Sequence, residues 1–183
     1  MSATASSERF AKIGPVELCY ETLGPDDAPP LLLVMGLGSQ MIFWEDEFCA
    51  MLVDAGHRVI RFDNRDNGRS TIFRDAPTPT LRQLVLRDRR ASPYRLEDLA
   101  ADAAGLLDHL GIERAPVVGA SMGGMIAQLM AINHPERVSS LVSIMSTTGN
   151  RRVGRADPRL FPMLLRRPAR ERPSCPPRRS RAA

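Results

Sequence analysis

The stretch Val117-Val118-Gly119-Ala120-Ser121-Met122-Gly123-Gly124-Met125 constrains the fold more than any other part of the chain. A short apolar run, Ala115 to Val118, stops at a glycine. A serine follows, then two more glycines, then an amphipathic run from Met125 to His134. Turning a strand into a helix within one or two residues strains the backbone at the serine and crowds the positions two before and two after it. Gly119 and Gly123 bring no Cβ into that crowding. Strand, sharp turn and helix form the context in which Gly-x-Ser-x-Gly holds a nucleophile. The hydroxyl then stands at the carboxyl end of a parallel strand, over a helix N-terminus that favours negative charge. The same pentapeptide also arises by chance, and a glycine-rich strand-to-helix turn can equally serve a phosphate. The flanks and the upstream chain have to decide.

Upstream, Phe10 to Ile13 and Val16 to Thr22 read as two short strands joined by a tight turn at Gly14-Pro15. Val16, Leu18 and Tyr20 alternate with Glu17, Cys19 and Glu21, which predicts a half-exposed antiparallel strand. Leu31 to Met35 is a continuous apolar run of the kind buried on both faces, and Val59 to Phe62 reads as the next buried strand. The first leads into the glycine-rich loop Gly36-Leu37-Gly38-Ser39. Trp44, Phe48, Met51, Leu52 and Ala55 recur at helical spacing and predict a helix over 44–55, stopped by Gly56. The segment 75–94 is Pro-rich and irregular, with a turn or two of helix expected over 81–86. Leu96, Leu99, Ala103, Leu106, Leu107 and Leu110 make one stripe, predicting a helix that Gly111 ends. A helix over 122–133 and a strand from Val138 to Met145 follow, with Pro135 just past the helix. Two antiparallel strands followed by alternating strands and helices imply an α/β fold built on a doubly wound, mostly parallel sheet. Function is then expected at the carboxyl ends of the strands, where both the Gly36 loop and Ser121 map.

The 183 residues suffice for one α/β domain and not two. The formal charge of +4 conceals an asymmetry. Residues 1–150 carry 13 Arg and one Lys against 19 acids, whereas 151–183 carry 11 Arg against Asp157 and Glu171. The expected organisation is therefore a disordered N-terminus over 1–9, an acidic globular core over 10–150, and an Arg/Pro-rich disordered tail over 151–183. Cys19, Cys49 and Cys175 are scattered and lack metal-ligand spacing, which suits reduced thiols and a cytoplasmic location. No apolar run is long enough to span a bilayer, and Met1 to Arg9 lacks the apolar stretch of a signal peptide. Oligomeric state has no sequence signal.

Taken together, the chain resembles the α/β-hydrolase fold family over residues 10–150. The resemblance rests on Met35-Gly36-Leu37-Gly38 after a buried strand, the loop Asp63-Asn64-Arg65-Asp66-Asn67-Gly68-Arg69-Ser70, the elbow Gly119-Ala120-Ser121-Met122-Gly123-Gly124, and Asn133-His134-Pro135-Glu136-Arg137-Val138, in that order. The run from Met35 to Ser70 is similar to bacterial esterases and lipases of the aclacinomycin-methylesterase type. The resemblance implies about six of the family's eight strands and acyl transfer on a small-molecule ester, without a metal or other cofactor. Ser121 Oγ would attack the carbonyl, with the N–H groups of Leu37 and Met122 holding the oxyanion. Each such donor contributes on the order of 3 kcal/mol of transition-state stabilisation. The family usually has His-Gly in the first loop; Met35 stands in place of that histidine, which removes its side-chain bonding but no backbone donor. An aspartate nucleophile is disfavoured because the elbow position is Ser121.

A serine needs a histidine oriented by a carboxylate, and the family order is Ser, then Asp or Glu, then His. His134 ends the helix that starts beside Ser121, about 18 Å away at 1.5 Å per residue. His57 precedes a strand, at the wrong edge of the sheet, and His109 ends a helix. None is placed as a base, so a crippled or inactive hydrolase is expected. Asp63, Arg65 and Asp66 are open to an acid–base reading, but pinning of their own loop is the favoured one. Met41, Trp44 and Met145 are candidate pocket residues, and core packing is an equally good account of most of them. The composition of Arg166 to Ala183, with seven Arg and four Pro, suggests a truncated or frameshifted frame. Truncation would leave the 138–145 strand as an apolar sheet edge. A binding module whose Arg-rich tail contacts nucleic acid or an acidic surface is the alternative function. The tail lacks interleaved aromatics and is too Pro-rich for a basic amphipathic helix, so no specific nucleic-acid recognition is expected.

Overall fold

The computed structural model describes residues 7–74 and 93–150. The predicted turn of helix at 81–86, the N-terminal segment 1–6 and the tail 151–183 lie outside the described residues. Six strands form one sheet: β1 (Arg9–Ile13), β2 (Val16–Leu23), β3 (Pro30–Val34), β4 (Arg58–Phe62), β5 (Ala115–Ala120) and β6 (Val138–Ile144), in the spatial order β1-β2-β4-β3-β5-β6. The β1–β2 and β2–β4 pairs are antiparallel, and β4–β3, β3–β5 and β5–β6 are parallel. From β3 the chain turns to β4 on one side and only later returns to β5 on the other. The crevice between the carboxyl ends of β3 and β5 is thus the topological switch point, where α/β sheets bind ligands.

Among the described residues, three α-helices cover the two faces. Helices α2 (Leu96–His109) and α3 (Met122–Asn133) bury Leu99, Ala103, Leu106, Leu107, Ile126 and Met130 against Leu18, Leu32, Val34, Ile60, Phe62 and Val117. Helix α1 (Asp46–Asp54) covers the opposite face, where Cys49 and Trp44 pack with Leu23, Leu31, Leu33 and Val59. Each Val, Leu, Ile, Phe or Met side chain among them contributes about 1.5–3 kcal/mol by leaving water. Among the described residues β6 pairs only with β5, and its Leu141, Val142 and Ile144 are exposed.

Two local expectations are corrected. Strand β2 is not half-exposed: only Glu17 of its residues faces water, while Cys19 and Glu21 are buried. It lies between β1 and β4, and Glu21 is the cross-strand partner of Arg61, whose guanidinium meets its carboxylate at 2.6 Å. The helix expected from Trp44 starts at Asp46 instead, behind a 3-10 turn at Met41–Phe43. The Trp44 carbonyl accepts from Arg61 Nη1 at 2.5 Å.

Cys19 and Cys49 are free and buried. Burial pushes the Cys19 thiol up to about 12, with the Asp63 and Glu21 carboxylates adding to it, and burial likewise raises Cys49. Since only the thiolate alkylates, both should react with iodoacetamide at least ~100-fold more slowly in the native protein than in urea. Peptide mass spectrometry reads this out; rapid native labelling of either residue would contradict the burial.

Candidate active site

The elbow is built by backbone crowding. Ser121 follows β5 directly and adopts φ 55°, ψ −120°, a strained conformation for a residue with a Cβ. Its N–H donates to Ile144 O at 2.9 Å, and Gly124 N–H donates to Ser121 O at 3.0 Å. A Cβ on Gly119 would sit 2.2 Å from Gly123 O, and one on Gly123 would sit 2.1 Å from Val34 O. Helix and strand approach here to a distance that only glycine permits. The N–H of Met122 belongs to the first turn of α3, which the helix itself leaves unpaired.

The glycine-rich loop after β3 lies against this elbow. A Cβ on Gly36 would meet the Ser121 Cβ at 3.1 Å and its Oγ at 3.6 Å. Between them opens a cavity of about 320 Å³ lined by, among others, Gly36, Leu37, Phe43, Trp44, Ser121 and Met145. That volume lies at the small end of ligand sites. Ser121 is exposed in it, Leu37 and Met145 are strongly exposed, and Trp44 is 7% exposed. Met41 is fully buried and does not line the cavity, so of the candidate pocket residues it belongs to the core. Met122 is half-buried and packs against the α2–α3 side of the core. Phe43 and Ser39 line the cavity without having been singled out by the sequence; the 3-10 turn that presents Phe43 has no periodicity to betray it.

The loop after β4 supports the site from behind. Asp63 Oδ1 accepts from Met41 N–H at 2.7 Å and Oδ2 from Arg69 N–H at 2.9 Å. Asn64 Nδ2 donates to Met35 O at 2.9 Å, tying this loop to the one that carries Gly36. Arg65 makes two hydrogen bonds to Asp102 on α2, at 2.6 and 2.7 Å, with the rings of Phe73 and Tyr94 5.9 and 5.3 Å from its guanidinium. Burial pushes the Asp102 carboxyl up, and the Arg65 guanidinium pulls it back. Asp66 Oδ1 accepts from Phe73 N–H at 2.6 Å. All three charged side chains are engaged in holding loops.

None of the three histidines reaches the carboxyl edge of the sheet. His57 precedes β4 at its amino end, His109 ends α2 edge-on to Tyr20, and His134 lies past the far end of α3. Among the described residues, no group of three or more His, Cys, Asp or Glu side chains could hold a metal, and no helix is long and apolar enough to cross a membrane.

A family model described as "alpha/beta hydrolase fold" matches residues 29–172. Rhodomycin D methylesterase DnrP of Streptomyces peucetius is 40% identical over 130 residues, 71% of this chain and 39% of the relative. The 3-oxoadipate enol-lactonase 2 of Acinetobacter baylyi is 35% identical over 127 residues, 69% of this chain and 40% of the relative. The crystal structure of the enol-lactonase from Burkholderia xenovorans LB400 matches with a TM-score of 0.62 at 30% identity, covering 75% of this chain and 46% of that one. The chain spans about two fifths of the length of the curated relatives it matches.

Proposed function

Since the chain belongs to the α/β-hydrolase fold family, we propose that it carries the nucleophile half of a carboxylic-ester hydrolase site. Ser121 is the nucleophile, and the N–H groups of Leu37 and Met122 receive the oxyanion. The observation that carries this reading is the contact of the Gly36 loop with the strained Ser121 elbow at the sheet's switch point, beside a cavity of apolar walls. The relatives named as a methylesterase and an enol-lactonase support an ester or lactone as the substrate class.

Ser121 Oγ adds to the ester carbonyl as its proton leaves. The tetrahedral oxyanion is held by the two backbone N–H groups, and collapse expels the alcohol and leaves an acyl-serine for water to hydrolyse. With no histidine at the serine among these residues, deprotonation falls to solvent hydroxide. Turnover of 4-nitrophenyl butyrate should therefore be slow and climb about tenfold per pH unit, without levelling near a histidine pKa. Ser121→Ala should abolish the butyryl adduct seen by mass spectrometry and lower the protein-dependent rate at least about tenfold. Ester hydrolysis unchanged by Ser121→Ala would refute the assignment.

A further inference from the structure

Arg61 is the most deeply buried charge of the described residues, with no exposed surface at all. Its guanidinium spends its donors on four groups. Nε and Nη2 donate to Glu21 Oε2 at 2.9 and 2.6 Å, Nη2 also to Asp46 Oδ1 at 2.7 Å, and Nη1 to the Trp44 carbonyl at 2.5 Å. The Cys49 Sγ lies 3.8 Å from Nη1 and itself donates to the Trp44 carbonyl at 3.6 Å. A lone ion pair with Glu21 would satisfy a buried arginine only in part; Nη2 also reaches the Asp46 carboxylate, and Nη1 is left to the Trp44 backbone oxygen and the Cys49 sulfur.

That oxygen belongs to the residue that walls the cavity beside Ser121. The Trp44 side chain has no polar anchor of its own, since its buried Nε1 has no hydrogen-bond partner. It stacks on Phe48 with ring centroids 5.6 Å apart. Its placement therefore rests on apolar packing, that stack and the cluster of Leu31, Leu33 and Val59, and on its backbone. The backbone is held from β4 twice: Asp63 takes the Met41 N–H at one end of the turn, and Arg61 takes the Trp44 carbonyl at the other. Arg61 and Asp63 are two apart, on the same side of the β4 line, and bracket the turn between them.

We propose that Arg61 is a positioning residue for the substrate pocket, acting through the Trp44 carbonyl to set the Trp44 wall of the cavity that Ser121 also lines. This rests on the pocket beside Ser121 being the ester site. Removing Arg61 alone strands the Glu21 carboxylate, so the informative variant is Arg61→Met with Glu21→Leu. Replacing a buried ion pair by apolar residues of similar volume often preserves the fold. Asp46→Asn, which changes the exposed arm of the network and leaves the Trp44 anchor, is the comparison.

Trp44 is the sole tryptophan, so the protein's indole fluorescence reports on this wall alone. In the double variant, acrylamide quenching of that fluorescence should rise about threefold or more, and 4-nitrophenyl butyrate, titrated in a Ser121→Ala background, should bind about tenfold more weakly. Asp46→Asn should match the parent in both. A folded double variant with parental quenching overturns the proposal, and so does increased quenching with unchanged ester affinity. Should the double variant not fold, Arg61→Lys, which keeps the charge beside Glu21 but lacks the fork that also reaches Trp44, is read the same way. If the parent itself fails to bind the ester, the ester-site reading falls and takes the pocket role with it. The quenching difference would then persist without any binding to lose.

Discussion

Gly123→Ala is expected to destabilise the protein by about 3–5 kcal/mol, among the largest costs of a single methyl addition in the described residues. The added Cβ would lie 2.1 Å from Val34 O, 2.7 Å from Val34 C and 2.8 Å from Met35 O. All three are backbone atoms at the end of β3, and none can swing aside as a side chain can. Relief requires α3 to back away from the sheet, which would loosen Ile126, Ala127 and Met130 from the core they share with Val34 and Val117. Gly119→Ala should cost a similar amount, because its Cβ would strike Gly123 O at 2.2 Å. The same movement of α3 relieves both clashes, so the double variant should lose clearly less than the sum. Gly38→Ala is the contrast: its Cβ meets nothing within 4 Å, and only its φ of +67° is unfavourable, a cost of about 1 kcal/mol. Urea unfolding at constant slope measures all four. A Gly123→Ala protein within 1 kcal/mol of the parent would mean that the elbow is not held as tightly as its geometry states.

Why the elbow was legible and the supports around it were not follows from the range of the forces involved. Helix α3 begins at Met122 and ends at Asn133 as the sequence predicts, because a glycine-crowded turn opens it and Pro135 closes it, both local events. The β5 strand runs two residues further than its apolar run, since Gly119 and Ala120 still pair with Ser143 and Ile144 of β6. A period-two pattern in β2 states only which residues alternate. It cannot state that Arg61, forty positions later, will arrive opposite Glu21 and make the second face of the strand a burial site. The arginine inside Val59-Ile60-Arg61-Phe62 was an anomaly in an apolar strand, and its partners were beyond local pattern. The same limit explains Trp44. Its helical spacing with Phe48 is real and produces the stacked rings, yet the residue stands before the helix because its carbonyl is claimed by a side chain on another strand. Ser121, Leu37, Trp44 and Met145 meet at one cavity because strand order puts β3 beside β5, whereas Phe43 joins them through a 3-10 turn that no periodicity announces.

Asp63→Asn should be the costliest isosteric change at the site, about 2–4 kcal/mol, although it alters no volume. Asp63 is 3% exposed and each carboxylate oxygen already holds a backbone N–H, Met41 on one side and Arg69 on the other. An amide can accept on one side only. Its NH₂ group would then face an N–H, so a charge-assisted bond is lost and a buried donor is left without an acceptor, each worth about 1–3 kcal/mol. Rotating the amide merely moves the conflict from Met41 to Arg69. Nor can the loop retreat easily: Gly68 packs so closely that a Cβ there would lie 1.9 Å from Asp63 Oδ2. Because the Met41 bond also closes one end of the turn carrying Phe43 and Trp44, the loss should appear as greater acrylamide access to Trp44 as well as a lower urea midpoint. Asp63→Ala should be similar or worse, since it strands both N–H groups. These outcomes separate loop-pinning from acid–base chemistry: a carboxyl that served proton transfer could be amidated with little effect on folding. A variant that unfolds at the parent's urea midpoint, keeps Trp44 shielded and yet loses ester turnover would return Asp63 to the chemistry.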